Sequence, residues 1–262
     1  MDKKSQLSII ALPGIYKQAM YYFGGFIHRM NSLGYKTVVA FEYPHKSRYI
    51  DEKPDPQLGK IGIEDNVNAL CRFMDKLRAG QPEAKFILIG HSMGSMVAQM
   101  TAAKLGDKVH GMILLCPVPS REIGLFSWDG LVSFAELLKY GDFWNKPVKR
   151  SYWATKRVLY NENMSEGEKW IAYCKSVWES GRIILQVTLA RPRIDESLIK
   201  IPTLVIGGGK DKLIKPHVAE SVAKKYGAEI SIIPEAAHDI LFDETEDAVV
   251  ETVHDWIQKR VY

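Results

Sequence analysis

A serine hydroxyl becomes a useful nucleophile at neutral pH only when a base can take its proton and a third group fixes that base's tautomer. This 262-residue chain offers a serine in a suitable setting: Gly90-His91-Ser92-Met93-Gly94 follows the apolar run 85–89 directly and leads straight into a helix-like stretch, 95–105. A nucleophile on a sharp strand-to-helix turn needs small residues two before and two after it, because the backbone there is strained and crowded. Gly90 and Gly94 supply that room. The following helix points its free N–H groups toward the serine, where they favour negative charge developing on a nearby oxygen.

Candidates for the orienting acid and the base follow in chain order. Residues 203–211 read as a strand that breaks into Gly207, Gly208 and Gly209 and then presents Asp211. A last short strand, 229–233, is followed by Pro234, Glu235, Ala236 and Ala237, which puts His238 in a loop. Open α/β sheets carry their sites at the carboxyl edge of the strands, so Ser92, Asp211 and His238 are expected to meet there. Asp239 and Glu235 are rival orienting acids, but such close sequence neighbours point away from His238 more easily than toward it. His91, inside the turn, is expected to pack into the surrounding structure, and His28, His45, His110, His217 and His254 lack a matching context. For the oxyanion of a tetrahedral intermediate the backbone N–H of Met93 is the expected first donor. Ile15 is the expected second donor, from the loop 12–16 after the first strand, with Tyr16 as the alternative. No metal or organic cofactor is implied.

Six short β-rich apolar runs must position these residues: 7–12, 37–41, 86–90, 111–116, 203–207 and 230–233. Continuous runs of this kind suit strands covered on both faces, as in a parallel sheet flanked by helices. Between the second and third runs Ile63, Val67, Leu70, Phe73, Met74 and Leu77 recur at helical spacing, and after the last run Val249, Val250, Val253, Trp256 and Ile257 repeat it. Asp243 and Glu246, three apart ahead of that second helix, resemble a capping box. The alternation predicts an α/β fold with a doubly wound, mostly or wholly parallel sheet of about six strands. It is interrupted once, which divides the chain into a core, 1–116 and 201–262, and a helical cap insertion, 117–200, with no convincing strand. The insertion holds five of the six tryptophans, Trp128, Trp144, Trp153, Trp170 and Trp178, together with Phe126, Phe134, Tyr140, Phe143, Tyr152 and Tyr173. Such aromatics can line an apolar pocket or hold a small subdomain together.

Composition excludes several classes. A formal charge of +4, with cations and acids interspersed, argues against a nucleic-acid partner. Cys71, Cys116 and Cys174 have no disulfide or zinc spacing, which suits a reducing compartment. The apolar run behind Lys3 and Lys4 is too short for a secretory leader and ends at Pro13. No run approaches the roughly 18 apolar residues of a membrane span, so a cytoplasmic location is expected. A homodimer is compatible with the sequence.

The Gly90–Gly94 turn, Asp211 and His238 together resemble the α/β-hydrolase family, in particular its esterase, lipase and monoacylglycerol-hydrolase-like branch with a helical cap. The resemblance covers nearly the whole chain. It implies a serine hydrolase and, since only about six residues precede the first strand, a sheet lacking the family's usual N-terminal β-hairpin. The family's usual His-Gly in the oxyanion loop reads Pro13-Gly14 here, and Ser92 disfavours the branches that use an aspartate nucleophile. The expected activity is hydrolysis of a small-molecule carboxylic ester of medium apolar or aryl type through an acyl-enzyme. One alternative is a C–C hydrolase or lyase acting on a ketone acid, suggested by the cap cations Arg121, Lys139, Lys149, Arg150 and Arg182; another is a ligand sensor with little turnover.

Overall fold

The computed structural model describes residues 6–125, 127–189, 191–242 and 245–262. Six strands form one sheet: β1 (Leu7–Leu12), β2 (Thr37–Ala40), β3 (Lys85–His91), β4 (Val109–Leu115), β7 (Thr203–Gly208) and β8 (Glu229–Ile233). Their spatial order is β2-β1-β3-β4-β7-β8, and every pairing is parallel. These are the six runs predicted from the sequence. The central strands β1, β3, β4 and β7 are buried on both faces, as suits a parallel sheet covered by helices: their alternate residues enter opposite cores, where a polar side chain is costly. Ile10, Leu12 and Leu88 point into one core with Val67, Leu70 and Val97, whereas Ile9, Ala11, Ile87 and Ile89 point into the other with Phe23, Phe26, Val253 and Ile257. The helices α2 (Ile63–Gly80), α3 (Met93–Leu105) and α8 (Pro216–Tyr226) cover the first face, and α1 (Ala19–Ser32) and α9 (Glu246–Arg260) the second.

The chain leaves β1 toward β2 and later returns to β3 on the opposite side of β1. Loops that follow β1 and β3 therefore diverge from neighbouring strands and open a crevice between them, the usual place for a ligand in an open α/β sheet. The register sets Leu12 beside Gly90, which brings the loop after Leu12 against the turn at Ser92.

Between β4 and β7 the chain builds α4 (Trp128–Ala135), α5 (Tyr152–Leu159), α6 (Glu166–Cys174) and α7 (Gly181–Thr188). A serine opens each: Ser127, Ser151, Ser165 and Ser180 accept from the N–H groups of Gly130, Ala154, Glu168 and Ile183. The stretch also contains a small antiparallel pair, β5 (Pro147–Val148) with β6 (Glu179–Ser180), where no strand is predicted. Two-residue strands are too short to leave a periodic signal. The tryptophans take the packing role at most, since Trp128, Trp144, Trp153 and Trp170 are exposed and Trp170 packs with Tyr152 and Tyr173 in an aromatic cluster. Phe126 and Asp243, the first residue of the expected capping box, lie outside the described residues, as do Lys3 and Lys4; the described N-cap of α9 is Thr245, with no side-chain cap bond.

Candidate active site

β3 runs to His91 and α3 starts at Met93, so Ser92 alone makes the turn between them. It does so at φ 52°, a left-handed conformation that costs a residue with a side chain of order 1 kcal/mol or more. The surroundings impose it: the Ser92 amide donates to the Leu115 carbonyl at 2.9 Å, and the Ser92 carbonyl accepts from the Ser95 amide at 3.0 Å and the Ser95 hydroxyl at 2.5 Å. The flanking glycines are sterically required. A Cβ on Gly90 would lie 2.4 Å from the Gly94 carbonyl oxygen, and one on Gly94 would lie 2.1 Å from that of Leu12.

The three residues expected at the carboxyl edge are brought together. Ser92 Oγ lies 2.9 Å from His238 Nε2, and His238 Nδ1 lies 2.8 Å from Asp211 Oδ2. Because a carboxylate only accepts, Nδ1 carries the proton toward Asp211 and Nε2 presents its lone pair to the serine hydroxyl. Asp211 is fixed by its other oxygen, which accepts from the amides of Leu213 at 2.8 Å and Ile214 at 2.9 Å. The rival acids are committed elsewhere: Asp239 is ion-paired with Lys17, and Glu235 with Lys210.

His91 is buried as expected but has a specific contact. Its Nε2–H donates to the backbone carbonyl of His238 at 2.8 Å, tying the histidine loop to the serine turn, and burial holds its pKa well below the usual histidine value. His45 and His254 bond Asp55 and Tyr35, away from the site. Cys116 Sγ, Asp211 and His238 have ligand atoms within 4.8 Å of one another, a spacing that could suit a metal. The chemistry does not favour it: burial keeps the Cys116 thiol protonated, and both ring nitrogens of His238 already serve Asp211 and Ser92.

Sequence reasoning missed how the loop after β1 is held. Lys46, buried, donates to the Gly14 carbonyl at 2.7 Å and pairs with Glu179 at 2.7 Å. Glu179 in turn accepts from the Tyr16 amide at 3.2 Å and the Ser180 amide at 2.9 Å. The loop is thus gripped on both sides of Ile15, and Tyr16, the alternative oxyanion donor, has its N–H committed to Glu179. Nothing in the sequence marks this pair, since its members are distant along the chain and meet only through the fold. Removing one member would strand a buried charge, so the double variant Lys46→Met/Glu179→Gln is the informative one. We expect it to lower kcat on an ester about a hundredfold with KM moved less than about threefold, the pattern of an interaction realised in the transition state. Steady-state kinetics on the folded variant check this, and a change confined to KM would contradict it.

Ser92 and His238 open onto a cavity of about 220 Å³. Val118, Leu125, Leu131, Phe134, Val187 and Leu213 make its wall largely apolar, and Ile15 and Met93 border it beside the serine. Met93 opens α3, so its N–H has no partner within the helix.

A parallel sheet of this order, with a serine turn after β3 and an acid and a histidine after β7 and β8, is the architecture of a hydrolase fold. The chain belongs to the alpha/beta hydrolase family, whose model matches residues 9–252. It is similar in structure to a methylesterase from Arabidopsis, with TM-score 0.71 and 14% identity over 97% of this chain and 99% of that one. It is also similar to a thermophilic esterase from Thermogutta terrifontis, with TM-score 0.71 and 17% identity over 98% of this chain and 92% of that one. A monoacylglycerol lipase from Paleococcus ferrophilus gives TM-score 0.67 and 18% identity over 96% of this chain and 93% of that one. At such identities the likeness establishes the fold. No curated protein matches the chain. Among the described residues no helix is long and apolar enough to cross a membrane.

Proposed function

We propose that the protein is a serine-dependent carboxylic ester hydrolase working through an acyl-enzyme, with Ser92 as nucleophile, His238 as general base and acid, and Asp211 as the group that orients it. The observation that carries the reading is the continuous relay from Asp211 through His238 to Ser92 Oγ, ending at an apolar cavity. In the first half-reaction Oγ bonds to the ester carbonyl carbon as its proton passes to His238 Nε2. The amides of Met93 and Ile15 receive the negative oxygen. The carbon–oxygen bond to the alcohol then breaks, and His238 returns the proton to the departing alkoxide. Water repeats the sequence on the acyl-enzyme and releases the acid, restoring Ser92.

In this reading the stretch 117–200 acts as a cap over the serine, because Leu125, Leu131, Phe134 and Val187 from it form one wall of the cavity. Apolar walls favour medium-chain or aryl esters. Hydrolysis of p-nitrophenyl acetate, butyrate, octanoate and palmitate, together with labelling by a fluorophosphonate, tests the assignment. We expect butyrate or octanoate to be turned over best and a single label to map to Ser92. A protein that neither labels nor hydrolyses any of the four is not a serine esterase.

A further inference from the structure

Four cationic side chains are buried among the described residues: Lys17, Lys46, Arg150 and Lys169. Three have anionic partners, Asp239 for Lys17, Glu179 for Lys46 and Glu166 for Lys169. Arg150 has none. Its residue is 7% exposed, its Nε and Nη1 are buried without a hydrogen-bond partner, and its guanidinium lies over the Tyr16 ring at 5.0 Å from the centroid. Glu136, whose field also reaches Tyr16, commits its oxygens to Lys139 and to the amide and hydroxyl of Ser151. A buried guanidinium left in this condition is costly, and contact with an aromatic face does not satisfy its in-plane N–H groups.

Arg150 also borders the cavity that contains Ser92 and His238, where it is the only permanently charged lining residue among those described. We propose that Arg150 is a specificity residue that binds an anionic group of the substrate, so that the preferred ester carries a carboxylate beyond an apolar spacer. The proposal rests on the ester-hydrolase reading for the chemistry at Ser92 but not for the binding of the anion. A planar fork of N–H donors fits a carboxylate edge-on, and a substrate carboxylate would supply the partner that the fold withholds. Among the described residues each of the other buried side-chain cations is paired, so a cation left unpaired at the wall of the reaction cavity marks where a ligand's charge is meant to sit. The carboxylate can belong to the acid part of the ester or to its alcohol part.

Matched substrates separate those two cases. The first pair is p-nitrophenyl hydrogen glutarate and its methyl ester; the second is 4-carboxyphenyl butyrate and methyl 4-(butyryloxy)benzoate. In the wild type we expect the free acid of at least one pair to exceed its neutral partner about tenfold or more in kcat/KM, chiefly through KM. In Arg150→Met that ratio falls to near one, and Arg150→Lys, which keeps the charge but not the fork, restores part of it. Because each ratio is taken within one protein, a general loss of folded enzyme cannot imitate the result. Titration calorimetry with monomethyl succinate, glutarate and adipate in the Ser92→Ala background, where the proposed nucleophile is absent, reads the same contact without turnover. We expect at least one to bind Ser92→Ala about tenfold or more tighter than Ser92→Ala/Arg150→Met.

If Ser92 labels and neutral esters turn over while neither free acid is preferred, the anion proposal is wrong and the esterase reading stands. If nothing labels or turns over yet a monoester binds in an Arg150-dependent way, the reverse holds. Equal or absent binding of all three monoesters by Ser92→Ala and Ser92→Ala/Arg150→Met overturns the proposal outright.

Discussion

Replacing Ser92 with alanine is expected to lower kcat on p-nitrophenyl butyrate by about a million-fold, and replacing His238 in the same chain to lower it no further. The reason is the mutual dependence built into the contact. Ser92 Oγ and His238 Nε2 are 2.9 Å apart, and each is useful only through the other: a hydroxyl without the lone pair stays protonated, and the imidazole without the hydroxyl has no covalent step to assist. The Ser92→Ala variant is expected to keep the turn, since its backbone can make the same bonds to Leu115 and Ser95, so substrate binding and the amides proposed to hold the oxyanion should survive. They should leave a residual rate about a thousandfold or more above uncatalysed hydrolysis, which sets the floor shared by the single and double variants. The measurement is kcat for wild type, Ser92→Ala, His238→Ala and the double variant, with fluorophosphonate labelling of each. Multiplicative losses, in which the double variant falls far below either single one, would mean that the two residues act in separate steps.

Most of the frame behind this prediction is readable from the sequence. The central strands show themselves as nearly unbroken apolar runs because helices cover both faces, and two independent cores then demand that every position from Ile9 to Leu12 or Phe86 to Ile89 be apolar. Ser92, Asp211 and His238 are legible because each follows a strand and a parallel sheet gathers all its strand ends at one edge. The loop contacts are not legible in the same way. Lys46 and Glu179 look like ordinary surface charges in sequence, and only the approach of β6 to the loop after β1 buries them together. Arg150 is indistinguishable in sequence from Lys139 and Lys149, which end on Glu136 and on the Ile50 carbonyl. Helices as short as α4 and α7 carry little periodic signal, so which of their side chains face the cavity depends on packing that composition does not encode. The exposed tryptophans illustrate the same limit.

The second large effect belongs to Asp211→Asn, expected to cut kcat by about ten-thousandfold while leaving the fold and KM nearly as they are. Asp211 serves two masters at once: Oδ1 accepts from the amides of Leu213 and Ile214, and Oδ2 accepts from His238 Nδ1. An asparagine has one acceptor oxygen and one donor nitrogen for these two places. Turning its nitrogen toward the amides would set three buried donors against one another, so the oxygen stays there and the NH2 group faces His238. The imidazole must then present a lone pair at Nδ1 and carry its proton on Nε2. In that tautomer the nitrogen facing Ser92 can no longer accept the hydroxyl proton, and the nucleophile is silenced without any atom of it being moved. Neither Asp239 nor Glu235 can take over, because Lys17 and Lys210 hold them. Kinetics and thermal unfolding of Asp211→Asn decide the matter together. A loss of less than about tenfold with an unchanged melting temperature would show that Asp211 does not set the tautomer, whereas a large loss in kcat at constant KM and near-native stability is the signature of a histidine held the wrong way round.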